Sequence, residues 1–350
     1  MNRWTSFTSM LLSGQSVPQR ATLVMSVLAA CAVAAVLFSC AVGSVALPLA
    51  DLFDALADMV RGAPSTLAAT LLELRLTRAL SAFVIGGALA LAGVMMQALL
   101  RNPLADPYVL GVSGGAAVGA LAAMLYFTAI WAVDVAAFSG AIIVSLILFL
   151  LAHRDLRGGI ATDSNASLLL LTGVIIASGC GALITLMLSI APDNRLRGMV
   201  FWLIGDLSGT QLRVLPFLVL IGVLGFAVRS ARSINVMAMH AAAASTLGID
   251  VGTLRKRLFF CAALLTASAV SSGGSIGFVG LIVPHACRFA LGPDHRLLLP
   301  AATLVGGIFL VLADTLARSV MAPQQLPVGV ITAIIGVPIF LMQLHHVRKK

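Results

Sequence analysis

Apolar runs of about 20 residues recur along most of the chain, each long enough to cross a hydrocarbon core about 30 Å thick as a helix. Charges, prolines and glycines punctuate them. The punctuation predicts ten spans, near 21–43, 77–100, 108–127, 131–152, 167–190, 212–229, 257–273, 277–291, 297–317 and 328–345. Alternation at period two is absent, so the short strands of a membrane β-barrel are not expected. The expected fold class is all-α, a polytopic membrane protein with about ten transmembrane helices forming a single domain over 1–350.

Three links between spans are too long or too patterned for simple turns. Segment 44–76, with Asp51, Asp54, Asp58 and Glu73, predicts a short amphipathic helix over the outer surface. Segment 191–211, with Arg195, Arg197, Trp202 and Asp206, is half apolar and predicts a short helix at the interface. Segment 230–256 ends in Arg255, Lys256 and Arg257 and is the largest surface offered to a partner on the inner side.

An even number of spans puts both termini on one side of the bilayer, and basic residues choose the side. Of the 22 Lys and Arg, fifteen fall on the side of the termini and seven on the other. Both termini are therefore expected in the cytoplasm, with 1–20 as a cytoplasmic N-terminal segment. The run from Ala21 to Gly43 is longer than the core of a removable signal, so cleavage there is not expected.

Composition sharpens the class. Sixty percent of the 350 residues are apolar and 10% charged, against about 25% charged in soluble domains. The net charge of +9 lies mostly in the links, which makes it a topology signal rather than a nucleic-acid surface. The five cysteines lie in or beside apolar runs without CxxC spacing, so they predict neither a disulfide framework nor a zinc site. Small residues repeat at helical spacing at Gly115 and Gly119, at Gly173, Ala177 and Gly181, and at Gly273 and Gly277. Such faces let helix backbones approach closely.

Candidate chemistry is sparse. Asp314 is the one carboxylate well inside a predicted span, and it stands four residues before Arg318, where the two can pair on one helix face. Asp134 and Asp206 fall near span ends. All six histidines fall at cytoplasmic ends or loops, none with a second ligand at metal-binding spacing, so no metal site is expected. No GxxxxGK[ST] loop is present, and the chain is not expected to be an enzyme that hydrolyses a nucleotide itself. An ion-coupled secondary transporter is the rival class. It would need ionisable groups near the bilayer centre, and few are available.

Particular residues add what composition does not. Leu74 to Arg78, Gly86 to Gln97, Asn102 to Pro107, Leu110 to Gly115, Gly277 to His285 with Arg288 and Asp294 to Arg296, and Leu326 to Phe340 follow one another in an order that resembles the FecCD family of ABC importer permeases. That resemblance implies a homodimer of a ten-helix subunit around a central path, two cytoplasmic ATPase subunits and a periplasmic binding protein. It places the chain in the bacterial inner membrane. No cofactor is implied for this chain, since ATP and Mg belong to the ATPase. The family's substrates are ferric siderophores, haem and cobalamin, with iron chelates the leading expectation.

The resemblance also implies residue roles. Arg75, Arg78 and Arg318 match arginines that dock on acidic lobes of the binding protein. Asn102 and Leu104 match a cytoplasmic gate, with Ser164, Asn165 and Ser167 as weaker candidates nearby. Segment 235–253, with Ala244, Leu247 and Gly248, matches the helices that couple to the ATPase. Two departures stand out. Thr77 replaces a proline between the docking arginines, and Ala241, Ala242 and Ser245 stand where the family commonly has charged residues.

Overall fold

The structure is a computed structural model, and it describes residues 17–43, 66–127, 129–157, 163–210, 212–239, 244 and 246–348. Among them lie eleven α-helices, one 3-10 turn and no strand. In chain order they are α1 Val17–Ala41, α2 Leu67–Leu100, α3 Val112–Tyr126, α4 Ile130–Arg157, α5 Asp163–Ser189, α6 Asp193–Ile204, α7 Val214–Met239, α8 Val251–Gly273, α9 Val279–Leu291, α10 His295–Ser319 and α11 Val328–Arg348. The 3-10 turn, Pro107–Leu110, precedes α3. Ten of the helices correspond to the ten predicted spans, and α6 is the short helix expected within 191–211.

Six helices are long and apolar enough to cross a membrane by length and composition, while α3, α9 and Val328–Met342 of α11 are apolar but shorter. α8 carries Arg255, Lys256 and Arg257 within its first turns.

Helix α2 is the centre of the bundle. Thr66 caps it by accepting a hydrogen bond from the Ala69 N–H at 3.2 Å, and Arg101 ends it in a left-handed conformation at φ 50°. From Val84 to Leu100 every residue is buried, because α10, α8, α9, α7 and α1 all pack around it. Its glycines set the spacing. A Cβ at Gly93 would overlap the Gly280 carbonyl of α9, and one at Gly86 would overlap the Gly306 carbonyl of α10. A second pair, α3 and α4, crosses with Gly119 against the Ala136 carbonyl and Gly140 against the Gly115 carbonyl. The small-residue faces are thus only partly used for packing, since Gly181 and Gly277 have open space at the Cβ position.

Three boundaries differ from the sequence reading. α2 begins at Leu67 rather than 77, so the last ten residues of segment 44–76 are helix; Asp51, Asp54 and Asp58 lie outside the described residues. At 34 residues α2 is ~51 Å long, and its N-terminal turns reach beyond an apolar layer about 30 Å thick. Segment 230–256 is not one long loop, because α7 continues to Met239 and α8 starts at Val251. Span eight is reduced to α9, 13 residues or ~20 Å. The non-helical stretch before it, Gly274–Phe278, is held against α6, where the Trp202 carbonyl accepts from the Ser275 N–H at 3.4 Å.

Candidate functional site: two ends of a membrane bundle

At one end of the bundle, α1, α2 and α10 bring three arginines together. Arg78 of α2 binds Asp314 of α10 through Nε, at 3.1 and 2.9 Å from the two carboxylate oxygens, and through Nη2 at 2.8 Å. Its Nη1 donates to Gln325 at 2.8 Å. Asp314 is 1% exposed, so this bidentate pair neutralises a carboxylate that would otherwise be costly to bury. The expected Asp314–Arg318 pairing along one helix face is therefore corrected. A guanidinium from a neighbouring helix reaches both carboxylate oxygens, and Arg318 turns instead to the Ser39 hydroxyl at 2.6 Å and the Ser39 carbonyl. Arg75 donates to the Cys40 carbonyl at 3.0 Å, at the C-terminal end of α1. Exposed carbonyls at a helix C-terminus carry partial negative charge, which suits a cation there. All three arginines are thus held by partners within the chain.

A second ion pair, Asp134 of α4 with Arg213, lies beside a cavity of about 470 Å³ that Trp202 and Asp206 also line. Arg195 of α6 ties down the end of α3, donating to the Met124 and Leu125 carbonyls at 2.7 and 2.6 Å.

At the opposite end, Asn102 and Leu104 sit in the loop between α2 and the 3-10 turn. The Leu104 N–H donates to Asn102 Oδ1 at 2.9 Å, and the Asn102 N–H donates to the Gln97 carbonyl at 3.2 Å. Pro103 and Pro107 restrict the backbone on both sides. Asp106 caps the 3-10 turn by accepting from the Tyr108 N–H at 2.8 Å. Burial pushes the Asp106 carboxyl up to about 6, partly opposed by that hydrogen bond. Leu104 is 40% exposed, so the loop holds an apolar side chain outward at a fixed height. Ser164, Asn165 and Ser167 fall in the first turns of α5, and their side chains lie outside the described residues.

The link between α7 and α8 contains the residues matched to ATPase coupling. Ala244 is buried and its carbonyl accepts from the Ile249 N–H at 3.0 Å. Leu247 is 69% exposed at the tip, and Gly248, at φ 78°, makes the turn. Asp250 caps α8 through the Thr253 N–H at 2.9 Å. Ala241, Ala242 and Ser245 lie outside the described residues.

Several polar partners carry no local sequence signal. Ser39, Gln325, Arg213 and the Gln97–Arg288 pair are joined across helices far apart in the chain, and only the assembled bundle reveals them. Among the described residues no group of three or more His, Cys, Asp or Glu is placed to hold a metal ion.

Among the described residues both ion pairs of this helical bundle, Arg78 with Asp314 and Arg213 with Asp134, lie near helix ends. The FecCD transport family matches residues 30–346, and the chain belongs to that family. It is 42% identical over 286 residues to the cobalamin import system permease protein BtuC of Halobacterium salinarum, covering 81% of this chain and 75% of that one. It is 40% identical over 289 residues to the hemin transport system permease protein HmuU of Yersinia pestis, covering 80% and 84%. A solved inward-facing structure assigned to the metal-chelate type of ABC transporter superposes with a TM-score of 0.78 at 26% identity, over 93% of this chain and 99% of that one. The chain is a transmembrane permease subunit of an ABC importer.

Proposed function

We propose that this permease forms the path of an ATP-driven importer for a metal-centred macrocycle, with haem as the cargo. The observation carrying this is that two relatives at 40% identity or more are named for hemin and cobalamin, both large metal chelates. Cobalamin is the second reading, favoured by the 42% identical relative. ATP binding and hydrolysis in the partner drive alternating access, and no cofactor resides in this chain.

The assembly follows from the same reading. Two copies of the chain face each other in the bacterial inner membrane with their termini in the cytoplasm, two ATPase subunits bind below, and a periplasmic binding protein docks above. Arg75, Arg78 and Arg318 form the docking cluster. Arg78, the least buried in its pairing with Gln325, exchanges that partner for a carboxylate of the binding protein. Asn102 and Leu104, facing their own copies across the two-fold axis, narrow the path on the cytoplasmic side. Ala244, Leu247 and Gly248 seat the α7–α8 link in the ATPase.

Cargo is tested by ATP hydrolysis of the reconstituted permease–ATPase complex with its binding protein loaded in turn with haem, cobalamin or a ferric siderophore. Haem is expected to stimulate hydrolysis several-fold over the unloaded binding protein. Stimulation by cobalamin alone selects the second reading, and stimulation by the siderophore alone overturns both.

A further inference from the structure

The last turns of α7, just before the link to α8, carry a polar side chain whose bonds leave the helix. Asn235 Nδ2 donates to Asp294 Oδ1 at 2.7 Å, so Asn235 Oδ1 is the acceptor of that amide. It takes the His295 N–H at 2.9 Å and faces His295 Nδ1 at 2.6 Å, which puts the proton of a neutral ring on Nδ1. Asp294 and His295 are the N-cap and the first residue of α10, and Asp294 also accepts from the Arg296 N–H at 3.0 Å. The first turn of a helix has backbone N–H groups that the helix itself cannot satisfy. Here a side chain of α7 satisfies one of them, so α10 is capped from another helix. Among the described residues no other side chain of α7 hydrogen-bonds a neighbouring helix.

The far end of α10 is bonded too. α10 has 25 residues and is ~37 Å long. Near its C-terminus Asp314 binds Arg78 of α2, and Arg318 binds Ser39 of α1. Pro300 deprives the Arg296 carbonyl of its helical donor, so the first turn of α10 depends the more on its bonds to Asn235. Beyond that turn Leu298 and Leu299 are fully buried, and a Cβ at Gly306 or Gly307 would overlap Gly86, Ala90 or Phe83 of α2. Interiors packed this closely pass a displacement on rather than absorb it. A shift of α7 at Asn235 therefore moves α10, and α10 ends in the arginine cluster.

We propose that Asn235 is a positioning residue that makes α10 follow the α7–α8 link, so that the nucleotide state of the ATPase reaches the arginine cluster through α10. This rests on the assembly proposed above, in which the link seats in the ATPase and the cluster docks the binding protein. Coupling between two such sites is reciprocal, and it is read as the change in one affinity that the other ligand causes.

The test is the affinity of the cognate binding protein, free of cargo, for the reconstituted permease–ATPase complex, with and without a non-hydrolysable ATP analogue. In the parent, nucleotide is expected to change that affinity at least fivefold. Asn235→Asp sets a second carboxylate against Asp294 and should leave less than about a twofold change. ATPase co-purification and the nucleotide-free affinity should stay within about twofold of the parent. Adding Asp294→Asn to that variant exchanges carboxylate and amide, restores a donor–acceptor pair and should recover the fivefold change. A cap serving stability alone would lower the yield of complex in Asn235→Asp without abolishing the response of the complex that remains. Full coupling in Asn235→Asp, loss of coupling only together with loss of bound ATPase, or no recovery in the double variant overturns the proposal. A parent complex whose affinity ignores nucleotide also overturns it, while leaving the docking and ATPase contacts standing. Failure of the ATPase or the binding protein to bind the parent refutes the assembly itself, and this proposal with it.

Discussion

Asp314 and Arg78 hold α2 and α10 together at one end of the bundle, where a 1% exposed carboxylate meets the Nε–Nη2 edge of a guanidinium. Removing one partner leaves a buried charge unpaired, so Asp314→Ala should destabilise the folded chain by about 3 kcal/mol. Chemical unfolding in mixed micelles measures it, and the double variant Arg78→Met, Asp314→Leu should recover most of the loss. A second residue-level expectation concerns Asp106, whose folded carboxyl is pushed up to about 6 from an ordinary 3.8. The fold favours its neutral form, so this contribution is complete below about pH 4 and lost as pH rises through about 6. Asp106→Asn keeps the acceptor for the Tyr108 N–H and should abolish that decline in unfolding midpoint between pH 4 and 7. At this scale the sequence was legible in part. The polar residues of both ends were identifiable as such, and Asp314 was visible as a buried acid. Its partner was not, because Arg318 lies at helical spacing on the same element whereas Arg78 is 236 positions away, and nothing local announces a cross-helix contact.

Between elements, packing is set by where glycine permits backbone contact. Gly93 against Gly280 and Gly119 against Ala136 leave no room for a methyl group. Gly93→Ala and Gly119→Ala should each lower the yield of folded, monodisperse protein several-fold, while Gly181→Ala, with open space around its Cβ, should leave it unchanged. Size-exclusion profiles of the three variants decide this. The ten spans and the interfacial α6 were readable because hydrocarbon demands long apolar runs. The extra turns of α2, α7 and α8 were not, since a helix can continue beyond the apolar layer through residues such as Glu73, Arg232 and Arg255, and hydropathy changes there without a change of backbone. The break before α9 was read nearly in place, between spans ending at 273 and starting at 277; Gly277 and Phe278 belong to the irregular stretch Gly274–Phe278, which finds a partner in α6.

In the molecule as a whole, α1, α4, α5 and α7 leave most of their apolar surface uncovered, which fits contact with lipid and with a second copy of the chain. The proposed coupling role of the α7–α8 link is testable at Leu247, which stands exposed there. If the link seats in the ATPase as proposed, Leu247→Asp puts an uncompensated charge into that contact and should cut co-purification of the ATPase at least tenfold. Because Leu247 is 69% exposed, the bundle itself should fold as before. The permease class was legible from motif order, whereas cargo was not, because a path that releases a bulky chelate needs few residues that bind it tightly. The most direct measurement is haem uptake by proteoliposomes containing this chain with its ATPase and its binding protein. Uptake is predicted to require all three components and ATP, and to persist when proton and sodium gradients are collapsed. Uptake by this chain alone, driven by an ion gradient and indifferent to ATP, would contradict the account.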